Sequence, residues 1–243
     1  MKRIVVSVAL ALVALVSSAQ MRKVQNKPYI DLRPLHFGIS LGMNLQDAEF
    51  RNIGPQVMDD GTTRTIVCDQ DIWNPGFSVG VLGDLRLSDN FNLRVSPTLH
   101  FGSKRLTFLD FDNLNDAGQP VHSTQDLKSS YLAVPFDLKF SAPRFNNYRP
   151  YVVGGFSPMI NLAGKDQEYV ALKRFDGVIN VGLGCDFYLP FFKLIPEIKF
   201  CYGLTNTLNK DHAGELENAA SIPFAKCIDD CRTKMFIFTL YFE

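Results

Sequence analysis

The fold class that this 243-residue chain predicts is all-β, an eight-stranded antiparallel transmembrane up-and-down β-barrel with long extracellular loops and short periplasmic turns. Three observations predict it: an export signal at the start, apolar and polar residues alternating at period two through the body, and a closing segment of the same pattern. In that last segment, Lys234 to Glu243, the residues Phe236, Phe238, Leu240 and Phe242 form one hydrophobic row. Sustained alternation marks a strand with two unlike faces. A closing strand with a penultimate aromatic, on an exported chain, is how an outer-membrane barrel ends and a plausible signal for the barrel-insertion machinery.

Met1 to Ala19 has a basic start (Lys2, Arg3), an apolar run from Ile4 to Val16, and the small residues Ser17 and Ala19. It reads as a cleaved secretory signal. The residue directly after Ala19 is Gln20 and not a Cys, which argues against a lipid anchor. Beyond the signal no apolar run approaches the roughly 20 residues of a membrane helix. The exported product is then either soluble or a closed barrel, because only helices and barrels satisfy their backbone in lipid. Residues 20–34 are expected to form a periplasmic N-terminal segment and 35–243 the barrel, one domain in all.

Composition is consistent with this. The 25 basic and 25 acidic residues balance, as they do in a barrel whose lipid-facing and interior residues alternate. The basic excess or stripe of a nucleic-acid binder is absent. Twenty Phe and eight Tyr against one Trp suit strands.

Eight segments carry the alternation. The first, Leu35 to Asn44, sets Leu35, Phe37, Ile39, Leu41 and Met43 against His36, Ser40 and Asn44. The second sets Phe77, Val79, Val81, Leu85 and Leu87 against Ser78, Asp84 and Arg86, and the third sets Phe91, Leu93, Val95, Leu99 and Phe101 against Arg94, Ser96, Thr98 and His100. The fourth has Leu132, Val134, Phe136, Leu138 and Phe140 around Asp137 and Lys139. The fifth, Tyr151 to Leu162, is apolar nearly throughout. In the sixth, Phe175, Ile179, Val181, Leu183, Cys185 and Phe187 oppose Asp176, Asn180 and Asp186; in the seventh, Phe192, Leu194, Ile198, Phe200 and Tyr202 oppose Lys193, Glu197, Lys199 and Cys201. The terminal segment is the eighth. Several reach the roughly 9–11 residues that a tilted strand needs to cross a bilayer, and an even count suits a bacterial single-chain barrel.

The connections alternate in length. Long loops are expected at Leu45 to Pro75, Ser103 to Leu127 and Thr205 to Thr233, with a medium one at Lys165 to Lys173; tight turns fall at Ser88-Asp89-Asn90, Asn146-Asn147 and Pro190-Phe191. Asp59-Asp60-Gly61 suggests a small hairpin inside the first loop. Placing Asn90 in the left-handed position of a three-residue hairpin pairs Leu85 with Leu93 and puts Asp84 opposite Arg94. Phe91, Phe145, Tyr148, Tyr151, Phe187, Phe191 and Phe192 gather at the tight turns as an interfacial girdle would.

The polar face carries Asp84, Arg86, Arg94, Asp137, Lys139, Asp186, Glu197 and Lys199. An eight-stranded barrel is only wide enough for side chains to fill it, so these charges are expected to pair inside and plug it. An enzyme could instead use Asp186 and Glu197 as a carboxylate pair, or His100 with Ser96 or Ser78 as part of a hydrolase triad, but no spacing singles them out. His36 and His100 are expected inside as hydrogen-bonding groups, and His122 and His212 in loops. The acidic run Asp110 to Asp116 departs from the calcium-loop pattern and reads as a solvated loop. Of Cys68, Cys185, Cys201, Cys227 and Cys231, an odd count leaves at least one unpaired in the chain; Cys227 and Cys231 could bridge or could be unpaired small residues. Metal, cofactor and small-molecule substrate are not expected.

The first strand's Leu35-His-Phe-Gly-Ile-Ser-Leu-Gly-Met-Asn44, the segment Tyr131-Leu-Ala-Val-Pro-Phe-Asp-Leu-Lys139 and Pro150-Tyr-Val-Val-Gly-Gly155 carry a resemblance to the PorT family of outer-membrane β-barrels of the Bacteroidota. The resemblance implies a part in the type IX secretion system, which carries proteins with a C-terminal sorting domain to the cell surface. It brings no catalytic residues. The expected role is accessory or assembly, and the expected partners are outer-membrane lipid and other components of that system. The alternatives are a barrel enzyme acting on lipid and a structural or adhesive barrel.

Overall fold

In a strand whose apolar residues recur at every second position, one face seeks an apolar surrounding and the other a polar one, and a closed sheet meets both needs. A computed structural model describes residues 24–57, 61–114, 118–163, 169–210, 212 and 221–243. The secretory signal, Asp59, Asp60, Asn115 and Asp116 lie outside the described residues. Strands β1 (Leu35–Asn52), β2 (Pro55–Val57), β3 (Thr63–Ile72), β4 (Pro75–Arg86), β5 (Phe91–Val95), β6 (Thr98–Leu114), β7 (Pro120–Ala133), β8 (Phe136–Ser141), β9 (Tyr148–Asn161), β10 (Phe175–Tyr188), β11 (Lys193–Gly203) and β12 (Ile228–Phe242) follow in chain order. A 3-10 turn at Ile30–Leu32 precedes them, and one short helix, α1 (Ile222–Lys226), precedes β12. None of the described helices is long and apolar enough to cross a membrane.

All strand pairings are antiparallel and the sheet closes on itself. Going round, β1 pairs with β4, β4 with β5 and β6, β5 with β8, β6 with β7, both β7 and β8 with β9, then β9 with β10, β10 with β11, β11 with β12, and β12 with β1. The described strands number twelve where the alternation suggests eight. Proline explains two of the four extra segments. Pro97 divides β5 from β6 and Pro135 divides β7 from β8, because a proline has no N–H for the ladder. The carbonyls of both prolines still accept, from Val81 N (3.0 Å) and Ser96 N (3.3 Å), so the wall does not open. The other two segments, β2 and β3, form a hairpin within the first long connection and pair from Pro55↔Thr65 to Val57↔Thr63. Eight staves remain.

Much of what reads as loop is strand. β1 runs on past Asn44, and β6 and β7 form a long hairpin that occupies most of 103–127. β12 begins at Ile228, well before Thr233. The period-two pattern does not stop there; its outward row turns polar, as at Asp47 and Glu49 on β1 and at Asp126 and Lys128 on β7, and the apolar signal is lost. The inward row instead builds a small core at this end of the barrel from Ile66, Leu106, Phe108, Leu127, Ile228 and Cys231, joined by Val170, Leu208 and Cys227 from the connections. The Phe108 ring meets Tyr169 at 5.4 Å and Phe224 at 5.6 Å.

The structure departs from the sequence pattern at four further points. His122 is an exposed residue of β7, not a loop residue. The described part of the acidic run lies at the end of β6; Asp110 is buried and holds Arg64 at 2.7 Å, so the run is not a freely solvated loop. Asn90 does not take the left-handed conformation. Ser88 Oγ caps that turn by accepting from Asn90 N (3.4 Å) and Phe91 N (3.2 Å), while the positive φ falls on Asn146 (50°) in the next turn. Tyr151 belongs to the interior and not to the girdle.

The closing strand seals the cylinder. Ile39↔Phe242 to Arg51↔Asp230 pair β1 with β12. Phe236 and Phe238 stand exposed on the outside, whereas Met235, Ile237, Thr239 and Tyr241 are buried inside. Trp73 and Phe200 pack on Phe236 with centroids at 5.9 and 4.8 Å, near one edge of the apolar belt; Phe192 meets Phe242 at 6.0 Å near the other. A Phe238→Arg substitution is therefore expected to cost about 2–4 kcal/mol in lipid, with Phe236→Arg, nearer the edge of the belt, costing less. Urea unfolding of the refolded barrel in vesicles, followed by heat-modifiable gel migration, measures both.

Candidate functional site

The inward row of the half that ends in the tight turns is charged, and register decides which charges meet. Asp84 lies directly across from Arg94 and Arg94 from Asp137. Arg94 has no solvent exposure. It donates through Nη1 to Glu197 Oε2 (2.7 Å) and through Nη2 and Nε to Asp84 Oδ2 (3.2 and 3.3 Å). Its guanidinium also lies over the rings of Tyr151 and Tyr241, 5.2 and 5.0 Å from their centroids.

Glu197 is the second centre. Besides Arg94 it accepts from the Tyr151 hydroxyl (2.6 Å) and the Tyr241 hydroxyl (3.1 Å), and Lys199 Nζ stands 3.1 Å away. Lys199 donates to Asp137 Oδ2 at 2.6 Å, and Asn180 Nδ2 donates to Asp137 Oδ1 at 3.1 Å. A parallel branch has Lys139 on both oxygens of Asp186 (2.8 Å each), over the Tyr151 ring at 4.1 Å. Lys193 extends that branch from Asp186 (3.8 Å) to Glu243 (2.7 Å), and Glu243 meets His36 at 2.6 Å. Glycine makes the room: a Cβ on Gly184 would lie 2.3 Å from the Tyr151 hydroxyl, and one on Gly155 would lie 2.5 Å from Asp137 Oδ1.

Of the eight charged residues expected inside, Asp84, Arg94, Asp137, Lys139, Asp186, Glu197 and Lys199 meet in this network. Arg86 is the exception. It sits at the rim, where the strand runs into its turn, and pairs with the exposed Asp89. Lys193, Glu243, Tyr151 and Tyr241 belong to the network as well. Parity along their strands places them: Glu243 shares the odd positions of Thr239 and Tyr241, and Lys193 those of Glu197 and Lys199.

The mouth at the tight turns is covered by the N-terminal segment. Asn26 N donates to Asn147 Oδ1 (3.0 Å) and Asn26 Nδ2 to the Tyr188 carbonyl (2.9 Å). Asp31 accepts from the Tyr188 hydroxyl at 2.7 Å and pairs with Arg144 at 3.3 Å. Arg144 in turn donates to the Asn26 and Lys27 carbonyls and stacks 3.4 Å from the Tyr188 ring centroid. Beneath this strap lies a cavity of about 10 Å³ bordered by His36, Lys139, Asp186 and Lys193.

The candidate catalytic groups named from the sequence are engaged in this arrangement. The carboxylates of Asp186 and Glu197 are each held by two cations. Ser78 Oγ and His100 Nδ1 do meet, at 2.8 Å, but both are buried in the barrel and Ser78 Oγ is also occupied by Asn44 Nδ2 at 2.8 Å. At the far end Cys227 and Cys231 are free thiols, not bridged. Burial in the apolar cap pushes the Cys227 thiol up to about 12, far from the thiolate that reacts.

A closed antiparallel barrel with an apolar outer belt and an ion-paired interior defines the class of outer-membrane β-barrel proteins. The chain belongs to the outer membrane protein β-barrel domain family, whose model matches residues 19–209. No curated protein matches it. Among solved structures it is similar to OprG from Pseudomonas aeruginosa (11% identity, 85% of this chain and 93% of that one, TM-score 0.45) and to Neisserial surface protein A (10%, 86% and 98%, 0.41). It is also similar to Ail, the attachment invasion locus protein of Yersinia pestis, solved with the heparin analogue sucrose octasulfate (13%, 85% and 96%, 0.35).

Two predictions follow from the network. Arg94→Ala takes the paired cation from Asp84 and one of two from Glu197, and removing one partner of a buried pair costs about 3–5 kcal/mol; the urea midpoint of the refolded barrel measures it. Glu243 supplies a pH dependence. Burial opposes its ionisation, but the hydrogen bond with His36 and the charge of Lys193 outweigh burial and bring the carboxyl down to about 2 from an ordinary 4.5. A carboxyl with a depressed value stabilises the fold fully above its ordinary range and loses that stabilisation as pH falls. Acid unfolding monitored between pH 5 and roughly 2 is expected to show this loss, and Glu243→Gln to reduce it.

Proposed function

We propose that this chain is a sealed, non-enzymatic scaffold of the outer membrane that serves type IX secretion as an accessory or assembly component. The observation that carries the scaffold reading is the filled interior: the staves enclose paired charges, a strap covers one mouth and an apolar cap narrows the other. A barrel so filled has no bore for folded cargo. What it can offer a partner is its rims. In this reading the tight turns and both termini face the periplasm, the long β6–β7 and β2–β3 hairpins face outward, and the partners are outer-membrane lipid and other secretion components.

Support for the secretion role comes from the segments Tyr131 to Lys139 and Pro150 to Gly155, which resemble the PorT family. They lie side by side in the wall, with Asp137↔Gly155 and Lys139↔Val153 in register. They bring together the Pro135 break, two network charges, and the glycine that makes room for one of them.

Deleting the gene in its native bacterium is expected to leave cargo with C-terminal sorting domains inside the cell and to lower the amount of assembled translocon. Complementation with the wild-type chain restores both. Normal surface cargo with an intact translocon in the deletion strain would refute the secretion role.

A further inference from the structure

The interior packing has a gap beside the proline breaks of two neighbouring staves, bordered by Pro135 and by Ser96 and Thr98 on either side of Pro97. A cavity of about 20 Å³ lies there, and its walls include Ser96, Ser157, Asn180, His100 and Lys199. Three polar atoms on residues lining it have no protein partner among the described residues: Ser96 Oγ, Ser157 Oγ and Asn180 Oδ1. Their residues are 1%, 2% and 2% exposed. A buried hydroxyl or amide oxygen left without a hydrogen bond costs roughly 1–3 kcal/mol. Three around one cavity call for a common partner.

The neighbouring contacts fix what that partner is. Asn180 cannot turn its amide over, because its Nδ2 is committed to the Asp137 carboxylate at 3.1 Å and a flip would set oxygen against oxygen. Its Oδ1 therefore needs a donor. A metal cation is disfavoured by the Lys199 ammonium on the same wall, itself held by Asp137 at 2.6 Å and Glu197 at 3.1 Å. An anion is disfavoured by the amide oxygen. A group that both donates and accepts fits, and a water needs about 10–15 Å³ and two to four polar partners. We infer that the cavity is a binding site for one internal water, which donates to Asn180 Oδ1 and bonds the hydroxyls of Ser96 and Ser157.

The water has a structural consequence. Asn44, Ser78 and His100 form one hydrogen-bonded chain, and Asn180, Asp137, Lys199, Glu197 and Arg94 form another. His100 and Lys199 both border the cavity, so the water occupies the space between the two chains, at the level where the prolines interrupt the wall.

A crystal structure of the refolded full-length barrel at about 2 Å resolution is expected to show an ordered water within hydrogen-bond distance of Ser96 Oγ, Ser157 Oγ and Asn180 Oδ1. An empty cavity, or serine hydroxyls turned onto protein acceptors, would overturn the assignment. Water-oxygen magnetic relaxation dispersion gives an independent reading. Its amplitude is expected to fall by one long-lived water in Ser157→Leu, whose side chain fills the cavity, and to be unchanged in Lys128→Gln on the outer face. No fall in a folded Ser157→Leu variant would count against the site.

Discussion

Pairing of enclosed charge is the constraint on which the rest of this barrel depends. Closing eight staves leaves an interior about as wide as the side chains that fill it, and any ion trapped there without a partner would cost several kcal/mol. The chain meets this with cations that each hold two carboxylates. Arg94 draws Asp84 and Glu197 together, and Lys199 ties Glu197 to Asp137. The pairs join β4, β5, β8 and β11, so the network is a cross-brace through the barrel. The Tyr151 and Tyr241 hydroxyls occupy further positions on the Glu197 carboxylate, which a lone ion pair would leave unsatisfied.

The wall is adapted to this filling. Gly184 and Gly155 are small where Tyr151 and Asp137 project inward, and Pro97 and Pro135 divide staves beside the cavity that Ser96 and Ser157 line. The two mouths are closed in different ways. The turn end uses charge and hydrogen bonds from Asn26, Asp31 and Arg144, whereas the hairpin end uses an apolar cluster around Phe108. The first is a segment strapped over a charged opening. The second is a small soluble-type core standing beyond the apolar belt.

Parity made most of the barrel legible in the sequence. Odd and even positions of Leu35 to Asn44 and of Lys234 to Glu243 already separate the outer row from the inner one, and the turn at Ser88-Asp89-Asn90 already sets Asp84 against Arg94. What the sequence hid is traceable to signals that parity does not carry. The hairpin extensions carry no apolar alternation because their outward row is polar. Tyr151 reads as a girdle aromatic until its hydroxyl is seen to reach Glu197. Arg86 has the parity of an interior residue, but it stands at the end of its stave, where the side chain can leave for the rim. Glu243 has inward parity, but it stands one residue past the end of its strand, where parity alone does not mark a side chain as interior.

A barrel closed by its paired interior passes no ions, and ion conductance measures this. Purified, refolded protein inserted into a planar lipid bilayer is predicted to give no steady open-channel current under an applied potential. A stable, ohmic conductance from the folded wild-type chain would show that the barrel is not closed, because it would require a continuous water-filled path where Arg94, Glu197, Lys199 and Asp137 are placed in contact.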